Sequence, residues 1–318
     1  MSDEMDLLIP ESLPEDHRSG FVALVGRPNV GKSTLMNAYL GQKIAIVSEK
    51  PQTTRQRILG ILTEPKYQIV FVDTPGIHSP HHLLGEYMVT TAKRTLKDAD
   101  VILWLVDGSV SPTPEDVDIG QTLREAAKVP IILAVNKIDL VPEGDRDGIA
   151  AQYLALADIH AHALISATRG DNRDRLLEII VDALPLGPRY FPEDQVTDQD
   201  ERFLAAELIR EQVLRECHQE VPHSVAVIVD EFKDRSDDLS YISATIAVER
   251  ESQKQIVIGR GGSMLKRIGQ GARLEIEKAL GRRVYLELWV KVLPKWRRDP
   301  ALLKRLGYVL PPEADSKD

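Results

Sequence analysis

Cysteine is nearly absent from this 318-residue chain: Cys217 stands alone, so no internal disulfide is possible. It falls in a helical pattern and reads as a small buried apolar side chain. Long apolar runs are missing too, and no stretch approaches the roughly 20 residues that a membrane-spanning helix needs. The start lacks the basic residues of a signal peptide. It carries Asp3, Glu4, Asp6, Glu11, Glu15 and Asp16, and residues 1–19 are expected to form a mobile acidic lead-in. Residues 311–318 are expected to be a mobile tail. The remaining composition, 43% hydrophobic and 28% charged, is ordinary for a globular protein, and the length allows two domains with separate cores.

The formal charge of −9 argues by itself against a nucleic-acid partner. Its distribution reverses that argument. Between Ser252 and Leu306 lie fourteen Lys or Arg against four Asp or Glu, a local +10 that leaves −19 for the rest. Such asymmetry points to a basic module for a polyanion joined to an acidic body. A solvated helical face would account for Lys266, Lys278 and Arg282, but not for the density.

What is present is a complete GxxxxGK[ST] loop, Gly26-Arg27-Pro28-Asn29-Val30-Gly31-Lys32-Ser33. It follows the apolar run Phe21–Val25 and opens the helical stretch Thr34–Leu40, the context that the motif requires. Gly26 and Gly31 let backbone N–H groups turn inward around phosphate. Lys32 adds a positive charge, and Ser33 offers a hydroxyl to Mg²⁺. The competing reading is a glycine-rich turn that binds nothing, which leaves Lys32-Ser33 unexplained.

Asp73-Thr74-Pro75-Gly76 ends the apolar strand Ile69–Val72. Asp73 is suited to Mg²⁺ through water. Gly76 is suited to close approach of a γ-phosphate, where a side chain would intrude. In the aperiodic stretch between lies Gln52-Thr53-Thr54-Arg55, where a threonine hydroxyl could reach the metal only in the triphosphate state. Asn136-Lys137-Ile138-Asp139 closes the run Ile131–Val135. The Asp139 carboxylate matches the two donors of guanine, N1–H and the exocyclic amine. Asn136 would tie loops together, and the Lys137 stem could cover the ring. A buried carboxylate rejects a base that leaves it unpaired. Ile165-Ser166-Ala167 then offers small residues whose N–H groups reach guanine O6.

These segments, in this order over residues 20–184, resemble the GTPases of the translation-factor class. The resemblance implies Lys32, Thr54 and Gly76 in catalysis, and Ser33, Thr54 and Asp73 at Mg²⁺. It implies Gly26, Asn29, Gly31, Lys32, Ser33, Thr34, Asp73, Asn136, Lys137, Asp139, Ser166 and Ala167 around GTP or GDP. Thr54 is preferred to Thr53 because related GTPases set the switch threonine directly before an arginine. Asn29 matches the asparagine that holds K⁺ in related GTPases. One departure is Ile77, where many small GTPases carry a water-orienting glutamine; hydrophobic substitution there marks a ribosome-associated and tRNA-modifying subgroup. Arg55 is a loose arginine-finger candidate, with a solvated loop arginine as the competing reading. His78, His81 and His82 lack metal-ligand spacing and read as part of a switch loop.

The first part of the chain alternates strands and helices, predicting an α/β fold with a mostly parallel sheet and ligands at the carboxyl ends of its strands. Residues 185–200, rich in proline, read as a stiff linker. Residues 201–310 follow the order α-β-β-α-α-β, with a polar turn at Lys233–Asp238 and Gly259-Arg260-Gly261-Gly262 between two helices. That order resembles a type II KH domain, an α+β module that clamps about four nucleotides of single strand. Gly259, Arg260, Gly261, Gly262 and Lys266 are its expected RNA contacts. Trp289 is expected in the core, and Trp296 with Lys295, Arg297 and Arg298 is offered as a stacking surface.

Both halves together, over about 21–310, are similar to the Era GTPases. That resemblance implies binding near the 3′ end of small-subunit ribosomal RNA and a role in assembly of the 30S subunit. It also implies a cytoplasmic monomer with peripheral contact to the inner face of the membrane and no DNA partner. Two other classes remain open from residues alone. One is a phosphotransferase using the same loop, against which the Asp73–Gly76 and Asn136–Asp139 pair speaks. The other is a scaffold whose basic module meets anionic lipid.

Overall fold

The structure, a computed structural model, describes residues 13–50, 53–76, 82–126, 128–218 and 221–308. Of the lead-in expected over 1–19, residues 1–12 lie outside the described residues, as do the tail 311–318, Gln52, Ile77, His78 and His81. His17 and Ser19 are buried, and Arg18 and Ser19 already pair in the first sheet, so the lead-in ends earlier than expected.

Six strands build the first sheet: β1 (Arg18–Val25), β2 (Ile58–Glu64), β3 (Tyr67–Asp73), β4 (Val101–Asp107), β5 (Ile131–Asn136) and β6 (Ala161–Leu164). Their order is β2-β3-β1-β4-β5-β6, with β2 antiparallel to β3 and every other pair parallel. β4 and β5 are buried along their whole length, as strands covered on both faces must be. The pleat sends Leu103, Leu105, Ile132 and Ala134 to one face, which also buries Leu35 of α1 (Lys32–Leu40) and Leu176 of α5 (Arg173–Ala183). Ile102, Trp104, Leu133 and Val135 go to the other face, with Ile119 of α3 (Pro114–Ala126) and Tyr153 of α4 (Arg146–Leu154). α2 (Leu83–Lys97) follows the segment after β3. The ladder pairs Leu24 with Asp73 and Asp107 with Asn136, so the loops that bear the motifs leave the sheet on one edge.

Residues 185–197 do not stand free as a spacer. Leu186 bridges to Arg18 and Thr197 to Gly60, and the buried Gln68 side chain accepts from the N–H groups of Tyr190 and Phe191 at 2.6 and 3.0 Å. The proline-rich segment is thus sewn along the sheet.

The second domain comprises α6 (Glu201–Glu216), α7 (Val221–Ser224), β7 (Ala226–Ser236), β8 (Leu239–Val248), α8 (Glu251–Ile258), α9 (Ser263–Leu280), β9 (Arg283–Val292) and α10 (Pro300–Arg305). β8 lies centrally, antiparallel to β7 and parallel to β9. Leu208 and Ile209 of α6, Val257 of α8, and Ile268, Ala272 and Ile276 of α9 close over Ile242, Ala244 and Ile246 of β8. The turn expected over Lys233–Asp238 is tighter, because the strands continue to Ser236 and resume at Leu239. The tryptophans exchange roles relative to expectation. Trp289 points outward from β9 and is 56% exposed, whereas Trp296 is fully buried and donates its indole N–H to the Ser224 carbonyl at 2.8 Å.

Candidate functional site

The loop between β1 and α1 is bent by its glycines. Gly26 has φ +146°, and a Cβ there would lie 2.2 Å from the Leu105 carbonyl oxygen. Gly31 has φ +106°, and a Cβ there would meet the Asn136 amide at 2.3 Å. Lys32 folds back over the loop, its ammonium donating to the carbonyls of Gly26 and Arg27 at 2.9 and 3.1 Å. Burial pulls its pKa down to about 8, opposed by the nearby Asp73. These are donors that an anion above the loop would take over.

Ser33, Thr54 and Asp73 converge. Asp73, fully buried at the end of β3, accepts from the Ser33 hydroxyl at 2.6 Å and from Thr54 Oγ1 at 3.3 Å. Its Oδ1 finds no partner among the described residues, and burial raises its pKa. Two hydroxyls and a carboxylate with a spare oxygen form a hard, all-oxygen donor set that fits Mg²⁺. Thr53 is turned away, donating to the Lys50 carbonyl at 2.6 Å. Gly76 lies against the loop, where a Cβ would stand 3.0 Å from Pro28.

At the far side Asn136 ties two loops, donating to the Val30 carbonyl at 2.8 Å and accepting from the Ala167 N–H at 2.9 Å. Lys137 is held in the left-handed region, φ +67°, with its ammonium 2.7 Å from Asp107 Oδ2. Burial pushes the Asp107 carboxyl up, but the bonds from Lys137 and Ser109 outweigh it and hold it low. Asp139 lines the cavity, and its buried Oδ1 has no partner among the described residues. The Ser166 hydroxyl accepts from the Arg169 N–H at 3.2 Å, which fixes the loop beside Ala167. Lys32, Ser33, Thr34 and Asn29 share with Asp139 and Ala167 one cavity of about 910 Å³. Gly26, Asp73 and Ser166 stand behind its wall. Asp107 was not singled out from the sequence; its place at the end of β4, before Gly108, is the signal that was available.

The second domain closes on this site. Arg55 is neither a finger nor solvated. It is 3% exposed and donates to the carbonyls of Val225 and Pro222 at 2.6 and 3.2 Å, with its guanidinium 5.9 Å from the Trp296 ring centroid. Arg210 of α6 donates to the Thr53 carbonyl. Lys43 bridges Glu211 and Glu275 at 2.6 and 2.8 Å. Leu84 and Met88 of α2 share a cluster with Trp296 and Leu303. His82 caps α2, its Nδ1 accepting from the Gly85 N–H at 3.0 Å, with Nε2 3.3 Å from Arg297. Burial and the Arg297 charge hold its pKa low. Arg297 pairs with Glu249 at 2.6 Å, so it is not part of an open stacking surface.

Across the second domain, Gly259, Gly261 and Gly262 have φ of +72°, +59° and +80°. Nothing lies within 4 Å of a Cβ placed at Gly261 or Gly262, and the Arg260 side chain is exposed beside them. A groove of about 420 Å³, bordered by Gly262, Lys266, Gly269, Arg273 and Leu288, begins at this turn. An open backbone beside two cations can admit a phosphodiester strand.

Sheet, loops and second module define a P-loop GTPase domain carrying a KH domain. Residues 21–137 match the family described as 50S ribosome-binding GTPase, and residues 220–297 match the KH domain family. The chain is 50% identical over 292 residues to GTPase Era of Ruminiclostridium cellulolyticum, covering 92% of this chain and 98% of the relative. It is 50% identical over 294 residues to GTPase Era of Heliobacterium modesticaldum, with coverage of 92% and 98%. A crystal structure of Era with MgGDPNP and nucleotides 1506–1542 of 16S ribosomal RNA superposes with a TM-score of 0.89 at 44% identity, over 92% of this chain and 100% of that one. A point variant of Aquifex aeolicus Era bound to GDP·AlF₄⁻ superposes at 0.88 with 43% identity and the same coverage. The chain belongs to the Era family of GTPases, and it is a GTP-binding, GTP-hydrolysing enzyme.

Proposed function

We propose that this GTPase is a molecular switch that binds the 3′ end of small-subunit ribosomal RNA through its KH domain and assists small-subunit assembly. The observation that carries the nucleotide half is Asp139, whose buried Oδ1 has no partner among the described residues and whose side chain lines the same cavity as the Lys32 loop. Guanine would supply its two missing donors. Gly26, Gly31 and Thr34 would present N–H groups to the phosphates, and Lys32 would exchange its two carbonyl partners for phosphate oxygens. Ser33, Thr54 and Asp73 would hold Mg²⁺, which when bound neutralises charge on the β- and γ-phosphates. Gly76 leaves room at the γ-phosphate. Asn136 fixes the loops around the base, Lys137 lies beside it, and Ser166-Ala167 supports it.

For the RNA half, support comes from the open Gly259–Gly262 turn, from Arg260 and Lys266 at its groove, and from the relative bound to 16S ribosomal RNA. Asn29, at φ +65° with its amide N–H donating to the Glu49 carbonyl at 2.6 Å, stands where the loop meets the switch stretch. A K⁺ ion there would add positive charge by the phosphates and assist hydrolysis. The protein would work as a cytoplasmic monomer. Its basic second domain suits peripheral contact with anionic lipid, and no helix among the described residues is long and apolar enough to cross a membrane.

Incubation with labelled GTP should release free phosphate and no phosphorylated acceptor. In filter binding, an oligonucleotide of the 16S 3′ end should be retained more tightly than anionic liposomes. A phosphorylated acceptor, or preference for liposomes, would overturn the corresponding half.

A further inference from the structure

The nucleotide cavity is not built by the first domain alone. Its wall also includes Leu214, Arg215 and His218, at the C-terminal end of α6 and just beyond it. α6 is fastened there. Glu211 accepts from the Val47 N–H at 3.0 Å and from Lys43, while Arg210 holds the Thr53 carbonyl. The last turn of the KH domain's first helix is therefore a fixed part of the wall.

Its polar side chains are unspent. Four other cations at or near the cavity are engaged, Lys32 by two carbonyls, Lys137 by Asp107, Arg27 by Asp116, and Lys43 by Glu211 and Glu275, while Lys50, which also lines the wall, has no side-chain partner among the described residues. Arg215 and His218 make no side-chain hydrogen bond or ion pair among the described residues. The carboxylate that feels Arg215, Glu275, is already held by Lys43. The carbonyl end of a helix also carries partial negative charge, which opposes an anion nearby. Arg215, in the cavity wall, offsets it.

We propose that Arg215 and His218 are nucleotide-binding residues lent to the GTP site by the KH domain, engaging the phosphate chain. The inference rests on the reading of this cavity as the guanine nucleotide site. A guanidinium fork matches phosphate oxygens, and such charge-assisted bonds are the strong ones. The nucleotide then spans both domains, and its affinity reports how closely α6 is seated.

The test uses the full chain. Isothermal titration with GDP should show Arg215→Ala weakening binding by about tenfold. Arg215→Lys should recover part of the loss, and His218→Ala should weaken binding less. The loss should shrink at high salt, as a screened contact does. Guanosine, which has no phosphate, should compete equally well against wild type and Arg215→Ala. GDP affinity within twofold of wild type would overturn the inference, and so would an equal loss for guanosine, which marks a purely structural role. A loss confined to the 16S 3′-end oligonucleotide would also overturn it, assigning Arg215 to RNA phosphate. If the wild-type chain bound no guanine nucleotide, the reading of the cavity would fall instead.

Discussion

Replacing Asp139 by asparagine should invert the base preference of the site. The carboxylate has one buried oxygen with no partner among the described residues, in the cavity that also holds Lys32 and Ala167. Guanine would bring it two N–H donors. Bonds to a charged group contribute about 1.5–3 kcal/mol each, so losing both costs roughly 3–6 kcal/mol. At 1.4 kcal/mol per decade, GTP affinity should fall by about 10²–10⁴. The asparagine N–H₂ would face the guanine amine donor against donor, but would donate to the 2-oxo group of xanthine, so XTP should bind more tightly than GTP. Stability without nucleotide should not suffer, because an unpaired buried carboxylate is itself costly and the amide has the same shape. Competitive titration with GTP and XTP measures the first effect, and thermal unfolding of the nucleotide-free protein the second. Undiminished GTP affinity would refute the base assignment. An equal loss for XTP, with a lowered melting temperature, would show a collapsed pocket instead.

Arg260→Asp with Gly261→Asp should abolish oligonucleotide binding, since carboxylates would meet phosphate where the open backbone stands; basal phosphate release on the same preparation should stay within twofold of wild type, as the turn touches no part of the nucleotide cavity. Hydrolysis should run faster in KCl than in NaCl, and equal phosphate-release rates would reduce Asn29 to a turn residue bonded to Glu49. Arg55→Ala should destabilise the chain by about 2–4 kcal/mol, because it strands the carbonyls of Val225 and Pro222 beside Trp296. Urea unfolding checks this, and a loss under about 1 kcal/mol would mean that water replaces the guanidinium without cost.

The clustering of the candidate site was legible because each motif is a backbone turn whose chemistry lies within a few residues of sequence. Gly26–Ser33 and Asn136–Asp139 each carry their own strand and their own donors. Legibility failed where the deciding contact is distant. Arg55 looked like a loop arginine, but its partners, Val225 and Pro222, lie 170 and 167 residues away. Trp296 is buried because α2 and α10 cover it, and no local pattern announces either. Trp289 was misplaced for a different reason. β9 alternates, and Trp289 shares its parity with Arg283, Tyr285 and Lys291, all exposed. Arg215 lies in the last turn of α6 and His218 just beyond it, where no motif marks either.

The two threonines of the switch stretch divide the molecule's labour. Thr54 turns its hydroxyl toward Ser33 and Asp73, while the carbonyl of Thr53 receives the guanidinium of Arg210, a side chain only 1% exposed. Arg55, the next residue, is anchored in carbonyls of the KH domain. Three consecutive residues thus face the Ser33–Asp73 pair, the first helix of the KH domain and the segment before β7. Displacement of the Thr54 backbone by several ångströms cannot leave the other two in position, because neighbouring Cα atoms are fixed about 3.8 Å apart by the peptide bond. Separating Arg210 and Arg55 from their partners would leave buried charges and carbonyls unsatisfied, so the stretch has few intermediate positions. A ligand that holds Thr54 therefore also holds α6, and a ligand that displaces α6 acts on Thr54. Coupling through a shared element is reciprocal in binding free energy, whichever domain is occupied first.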